Sequence, residues 1–272
     1  MRISIRTFQK TVWRHYRRHG RHDMVWRKNI TPYRVVVSEV MLQQTQVARV
    51  THKLRPFVRM FPSFRSLARA PLSRVLAAWQ GLGYNRRALM LKRLAQTVVR
   101  EHGGILPRDP VMLAALPGIG FATAGSIAAF AFQEPVAFIE TNIRRVFIHF
   151  FFPHKKSVHD SDILKIVQKT VDTKNPREWY FALMDYGAWL ARAEKENPNR
   201  KSAHYQRQPK FEGSDRQVRG RILALLVTDG PLALSVIARR LSEPRARVMK
   251  VAVTLAKERL ATIMKGKMRI AM

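Results

Sequence analysis

The sequence predicts a mainly α-helical protein that ends in a small winged-helix-like module. Three observations carry this. Apolar residues recur at helical spacing, as Val36, Val40, Val47 and Val50 do, four, seven and three residues apart, after Pro32. Almost no alternating apolar–polar pattern occurs before Val136. The C-terminal stretch reads as two helices separated by Gly230-Pro231, a third helix, and the alternating tail IMKGKMRIA.

The elements follow in order. Residues 1–28 are basic and aromatic and predict a helix followed by a loop, with Trp13, Tyr16 and Trp26 as packing anchors. Pro32 marks the start of the next helix. Later helices break at Pro56, Pro62 and Pro71, and SRVLAAWQ runs into the loop Gly81-Leu82-Gly83-Tyr84. A basic helix with Arg86, Arg87, Lys92 and Arg93 comes next. After Gly187 the polar, basic stretch AEKENPNRKSAHYQRQPKFEGSDRQVRG predicts an extended linker. Ser242-Glu243-Pro244 opens a recognition-type helix carrying Arg245, Arg247 and Lys250, either a DNA-contacting winged helix or a helical clamp on the main body. The expected division is 1–28, 29–135, 136–208 and 209–272.

Charge restricts the partners. Fifty Lys and Arg against 18 Asp and Glu give a net charge of +32, which favours a polyanion, chiefly nucleic acid, and salt-sensitive binding. The apolar runs are too short for a transmembrane span, and no signal peptide is evident, so a cytoplasmic or nucleoid location is expected. There is no cysteine, which excludes disulfides, thiolate nucleophiles and cysteine-held metal. The nine histidines are read as lacking paired spacing on a helix face, so no metal site and no cofactor is expected.

Two stretches carry the chemistry. The first is Leu116 to Val146, LPGIGFATAGSIAAFAFQEPVAFIETNIRRV. Gly118 and Gly120 permit a tight turn with positive φ just before a helix start, whose outward N–H groups suit a phosphate oxygen. Glu140-Thr141-Asn142 then places a carboxylate at a helix entry, one turn ahead of Arg144 and Arg145. Capping alone would explain Glu140 or Thr141. The second stretch is Ser38 to Gln46, where Glu39 falls inside an apolar helix, as an amphipathic accident or as a buried carboxyl with raised pKa. Gln43, Gln44 and Gln46 form either a solvated face or a reach into a DNA groove. Tyr84 either packs or wedges between bases.

In these stretches, together with AWQGLGYNRRALMLKRLA and EHGGILPRDPVMLAALPGIG, the sequence resembles the helix-hairpin-helix DNA glycosylases, and within them the MutY-like adenine glycosylases. The resemblance runs from about Trp26 to Gly187, roughly two thirds of the chain. It implies a two-lobed helix-hairpin-helix fold, a monofunctional base-excision enzyme acting on adenine opposite 8-oxoguanine or guanine, and a monomer on duplex DNA holding a mismatch or damaged base. The alternatives are a thymine or uracil mismatch glycosylase and a non-catalytic DNA-binding relative.

By the same resemblance Glu39 is the general acid that protonates the departing base. Glu140 is the carboxylate that stabilises the cationic sugar, and Asn142 positions it. The resemblance also implies that Gln44 and Tyr84 hold the DNA with its base extruded and that the Gly118–Gly120 turn grips a phosphate; Gln43, Thr123, Arg144, Arg86, Arg245 and Arg247 are further expected DNA contacts. Chemistry asks for the same pair: one acid must be neutral to donate, the other ionised to stabilise the cation. The chain departs from the family in four places. Glu140 replaces an aspartate, the cluster cysteines that follow the Met184-Asp185-Tyr186-Gly187 tract are absent, the usual C-terminal domain is missing, and Ala122 stands where lyase-active relatives carry lysine.

Overall fold

The computed structural model describes residues 3–206 and 210–271. The expected boundary at 208/209, and the outer ends of the first and last segments at 1–2 and 272, lie outside the described residues. Contacts divide the chain into two compact units. One takes in Met1–Val36, Pro107–Ala115 and Ile119–Arg207, the other Val37–Leu106, Leu116–Gly118 and Gln208–Met272.

The first unit is a helical layer built on α1 (Ile5–His19), α7 (Pro110–Ala114), α8 (Phe121–Phe132), α9 (Thr141–Phe151), α10 (Asp160–Thr170) and α11 (Pro176–Ala193). Ser4 caps α1 by accepting the Thr7 N–H at 3.1 Å, and Pro176 opens α11 where its missing N–H costs nothing. Their apolar faces meet around Phe8, whose ring lies 5.0–5.9 Å from Phe147, Phe150, Phe151 and Trp179. Trp13 and Tyr16 are packing anchors as expected: Trp13 lies 5.7 Å from Trp179 and 6.0 Å from Tyr16. Behind them the buried Asp185 accepts from Arg27 at 2.8 Å twice, and from the Arg21 backbone and Nε at 2.8 and 2.7 Å. That pairing holds the loop after α1 against α11.

The second unit contains most of α2 (Pro32–Leu42), then α3 (Val47–Met60), α4 (Phe64–Arg69), α5 (Leu72–Trp79) and α6 (Arg86–Glu101). The C-terminal segment belongs to this unit: α12 (Asp215–Asp229), β1 (Leu232–Ala233), α13 (Leu234–Leu241), α14 (Arg245–Lys257), β2 (Ala261–Met264) and β3 (Lys267–Ile270). The strands form an antiparallel sheet in the order β1-β3-β2. Lys265 (φ +47) and Gly266 (φ +73) make the two-residue turn between β2 and β3, a conformation that matches the twist of a hairpin. Helix α12 packs on α5 as well as on α13 and α14.

Four expectations need correction. Pro56 does not break a helix but lies inside α3; it sits on the exposed face, so water can satisfy the carbonyl it leaves without a donor. Leu232–Ala233 pairs with β3 instead of starting a helix, because Gly230 (φ +76) turns the chain onto the sheet edge. The stretch after Gly187 is a linker only in part. Helix α11 runs on to Ala193, Pro198–Lys201 forms a 3-10 turn, Ser202 bridges to Val158, and α12 starts at Asp215 with Ser214 as its cap. Finally, His15 and His19 do stand four apart on α1, with ring centroids 5.2 Å apart. They line a pocket of about 320 Å³ with Arg21, Asp185, Trp189 and Arg192. Among the described residues no three His, Cys, Asp or Glu side chains are grouped to hold a metal.

Candidate active site

In the first unit the site is built on the start of α9. The chain reaches Glu140 extended (φ −126°, ψ 177°), which makes Glu140 the N-cap of α9. Its Oε1 accepts the backbone N–H of Asn142 at 2.7 Å and of Ile143 at 2.8 Å, and its Oε2 accepts from Asn142 Nδ2 at 3.3 Å. Asn142 is oriented in turn: its Oδ1 accepts from Arg145 Nη1 at 2.8 Å. Arg145 is buried, and donates also to Gly187 O at 2.7 Å and to Asn197 Oδ1 at 3.0 Å. Gly187 has to be glycine, since a Cβ there would lie 2.5 Å from the carbonyl oxygen of Asn142. Asn199 closes the arrangement by donating to Thr141 O at 2.9 Å.

The bonds from the α9 amides and from Asn142 favour ionised Glu140. Burial outweighs them and pushes the carboxyl above its ordinary value, while the bonds from Ile143 and Asn142 and the charges of Arg145 and Arg144 pull it back only in part. Burial likewise lowers the Arg145 guanidinium, against the pull of Glu140.

In the second unit Glu39 lies half-buried on α2, flanked by buried Val36, Val37, Ser38, Val40 and Met41. The helix ends at Leu42, Gln43 is half-buried, and Gln44 is exposed with φ +50, a strained value for a non-glycine residue. Gly81 (φ +88) and Gly83 (φ +71) turn the chain without strain, and Tyr84 (φ +48), strained as a non-glycine residue, is left 39% exposed. Trp79 Nε1 donates to Gly83 O at 3.1 Å, and Arg216 Nη1 of α12 donates to the Tyr84 hydroxyl at 3.4 Å. Arg86 is exposed beside this loop.

The turn between α7 and α8 meets the expectation at Gly118 but not at Gly120, which is extended (φ −97°, ψ 172°). Gly118 has φ +78, and a Cβ there would meet the Met90 Cβ at 2.6 Å, so no other residue fits without a shift. Gly120 is the N-cap of α8 and supplies no side-chain cap to the first-turn amides, while Thr123 is half-buried within that turn. Phe121, next to it, is 85% exposed.

The structure thus gathers Glu140 with Asn142 on one helix start in the first unit; in the second it places Glu39, Gln43 and Gln44 at and just after the end of α2, and Tyr84 on the loop ahead of α6. Two of the expected DNA contacts are held by carboxylates within the chain, and a third is not buried. Arg144 is held by Asp160 through two bonds of 2.7 Å, and Arg247 is held by Asp215 and Glu243 at 3.1 and 3.0 Å. Arg245 is exposed. Sequence reasoning passed over Arg145, Asn197 and Asn199 as site-building residues. The two asparagines lie in the stretch taken for a linker, and no local pattern distinguishes them.

Residues 37–171 match the family model described as HhH-GPD superfamily base excision DNA repair protein. The chain is 34% identical over 226 residues to the adenine DNA glycosylase of Mycolicibacterium smegmatis, covering 76% of each. It is 33% identical over 195 residues to that of Buchnera aphidicola subsp. Baizongia pistaciae, covering 70% of this chain but 54% of the relative, so it spans about half that relative's length. Among solved structures, a thermostable thymine-DNA glycosylase superposes with a TM-score of 0.62 at 24% identity, over 71% of this chain and 90% of the other. A non-covalent endonuclease III–DNA complex gives 0.54 at 17% identity, over 89% and 100%. At those identities the likeness speaks for the fold.

Proposed function

The chain belongs to the HhH-GPD superfamily of base excision DNA repair proteins, and on that premise we propose that it is a monofunctional DNA glycosylase that removes adenine opposite 8-oxoguanine or guanine. The observation that carries this reading is the Glu140 carboxyl, held by two α9 amides and by Asn142, which the buried Arg145 orients in turn. A structural cap needs one N–H bond; it does not need an asparagine that is itself positioned by a buried guanidinium.

The reaction proceeds in balanced steps. The Glu39 carboxyl gives its proton to a ring nitrogen of the adenine while the bond between that base and the sugar C1′ breaks, so the base leaves neutral. Positive charge builds on C1′ and the ring oxygen. Glu140, half-buried and ionised at that moment, stabilises it, and the partial exclusion of water strengthens the effect. Water then adds to C1′, its proton returns to a carboxylate, and an abasic site remains. Ala122 offers no amine, so no Schiff base forms there and the strand stays intact until alkali is added.

The family's iron–sulfur cluster does not fit this chain, because no thiolate exists to ligate it. Asn197 and Asn199 instead tie the segment after α11 to α9. Among the described residues no helix is long and apolar enough to cross a membrane. The net charge of +32 supports a place on the nucleoid, and we take the protein to act as a monomer.

A panel of duplexes with adenine, thymine or uracil opposite guanine, 8-oxoguanine and other bases tests the reading. Adenine excision, with strand scission only after alkali, is expected. Excision of thymine or uracil alone would move the substrate to the other branch of the superfamily, and no excision from any duplex would overturn the enzyme.

A further inference from the structure

Arg86 and Arg87 open α6 at its positive dipole end, an unfavourable place for a cation unless other groups hold it. Arg87 is so held. Its Nη1 donates to Val40 O at 2.8 Å, to Met41 O at 3.0 Å and to Gln43 O; its Nη2 donates to Thr45 Oγ1 at 2.8 Å, Gly83 O at 3.1 Å and Leu82 O at 3.3 Å. The guanidinium also lies 5.5 Å from the Trp79 ring and 5.4 Å from the Tyr84 ring. Burial brings its pKa down to about 10, which leaves it cationic at neutral pH.

These acceptors come from three places: the last turn of α2, the turn that follows it, and the Gly81–Tyr84 loop. Val40 and Met41 carbonyls lie where a helix has no N–H of its own to offer. Both turns hold residues at positive φ, Gln44 on one side and Gly81, Gly83 and Tyr84 on the other. For Gln44 and Tyr84, which are not glycine, such conformations persist only where the surroundings over-determine them. One planar fork pins both, with one nitrogen serving the end of α2 and the other reaching the loop.

We propose that Arg87 is a positioning residue that locks the end of the Glu39-bearing helix and the Tyr84 loop into one rigid piece, keeping the acid and the wedge at a fixed spacing. Its catalytic consequence rests on the glycosylase reading; its mechanical part does not. Lysine at this position keeps the charge but replaces the two-nitrogen fork with a single ammonium, so it can serve one side and not both.

The test uses full-length Arg87→Lys, with Arg87→Met as the harsher variant; should the latter fail to fold, Arg87→Lys decides. Hydrogen exchange without DNA should show protection falling together in residues 41–45 and 81–84, with α9 to α11 unchanged. Single-turnover excision at saturating protein should slow about 100-fold, the size expected when reacting groups shift by an ångström, while duplex affinity stays within about threefold. Fluorescence of 2-aminopurine at the target position should report less base extrusion. Combined with Tyr84→Ala, the loss should be smaller than the product of the two single losses, because both act through one loop. Loosening of only one segment, or none, overturns the lock. So does a wild-type rate despite joint loosening. If the wild-type protein excises no base at all, the glycosylase reading fails, and the exchange result alone decides whether Arg87 joins the two segments.

Discussion

Replacing Glu140 by Gln removes charge and leaves shape, and the structure sets what should follow. The amide oxygen of Gln can still accept the Asn142 and Ile143 N–H groups, now at 2.7 and 2.8 Å from Glu140, so the α9 cap weakens by no more than about 1 kcal/mol. For a protein of this size that is about 2–4 °C in Tm. The pH dependence is the sharper signature. Burial raises the Glu140 pKa in the folded protein, so the native state binds a proton that the unfolded chain has already lost. The wild type therefore loses stability as pH climbs from the ordinary glutamate value through the raised one, and Glu140→Gln does not. The Tm of the variant minus that of the wild type should rise across this window and level off above it. Catalysis should move the other way. Without the negative charge, single-turnover excision should fall by about 10²- to 10³-fold, equivalent to about 2.7–4 kcal/mol of transition-state stabilisation, with duplex binding retained. In the wild type the acidic limb of the rate profile should lie above the ordinary glutamate range, since activity disappears as pH falls through the raised pKa. Thermal melts from pH 4 to 8 and quenched-flow excision measure both sides. A Tm difference that shrinks with rising pH, or full activity in Glu140→Gln, would refute the reasoning. Glu140→Asp is the control: a shorter carboxylate still caps α9 and should retain part of the rate.

Other consequences are simpler to state. Duplex affinity should fall steeply between about 50 and 200 mM salt, since a +32 chain displaces many counterions; a binding constant flat with salt would contradict phosphate recognition. Asp185→Asn breaks a buried pair in which the Arg27 and Asp185 side chains are 4% and 1% exposed, and should cost about 3–5 kcal/mol, seen as a drop in chemical-denaturation midpoint. Truncation after Gly213 removes α12 from α5 and Arg216 from the Tyr84 hydroxyl; duplex binding should weaken while slowed excision stays measurable at saturating protein. Complete loss of excision at saturation would make the C-terminal segment part of the active site.

Local chemistry was legible in the chain. Glycine at 118 announced a positive-φ turn ahead of a helix, and the structure has both. Glu140-Thr141-Asn142 announced a helix start, because a carboxylate accepts first-turn amides, and Glu140 is that cap. The apolar spacing around Glu39 put it on an otherwise buried helix, and the alternating tail with Lys265-Gly266 became a hairpin. Each of these depends on a residue's own backbone preference or on partners within one turn.

Tertiary structure decided the rest. Arg87 looked like one more cation on a basic helix, and only the collapse of α2 and α6 together brought it to carbonyls 44 to 47 positions away. Arg145 meets Gly187 and Asn197 across 42 and 52 positions. The Glu140 amides were foreseeable, but the burial that outweighs them was not, since desolvation is the sum of everything packed around a group. A sequence displays which donors and acceptors each residue carries; which carbonyls are left wanting a donor, and which charge is shut away from water, is settled by segments distant in the chain as they exclude solvent together.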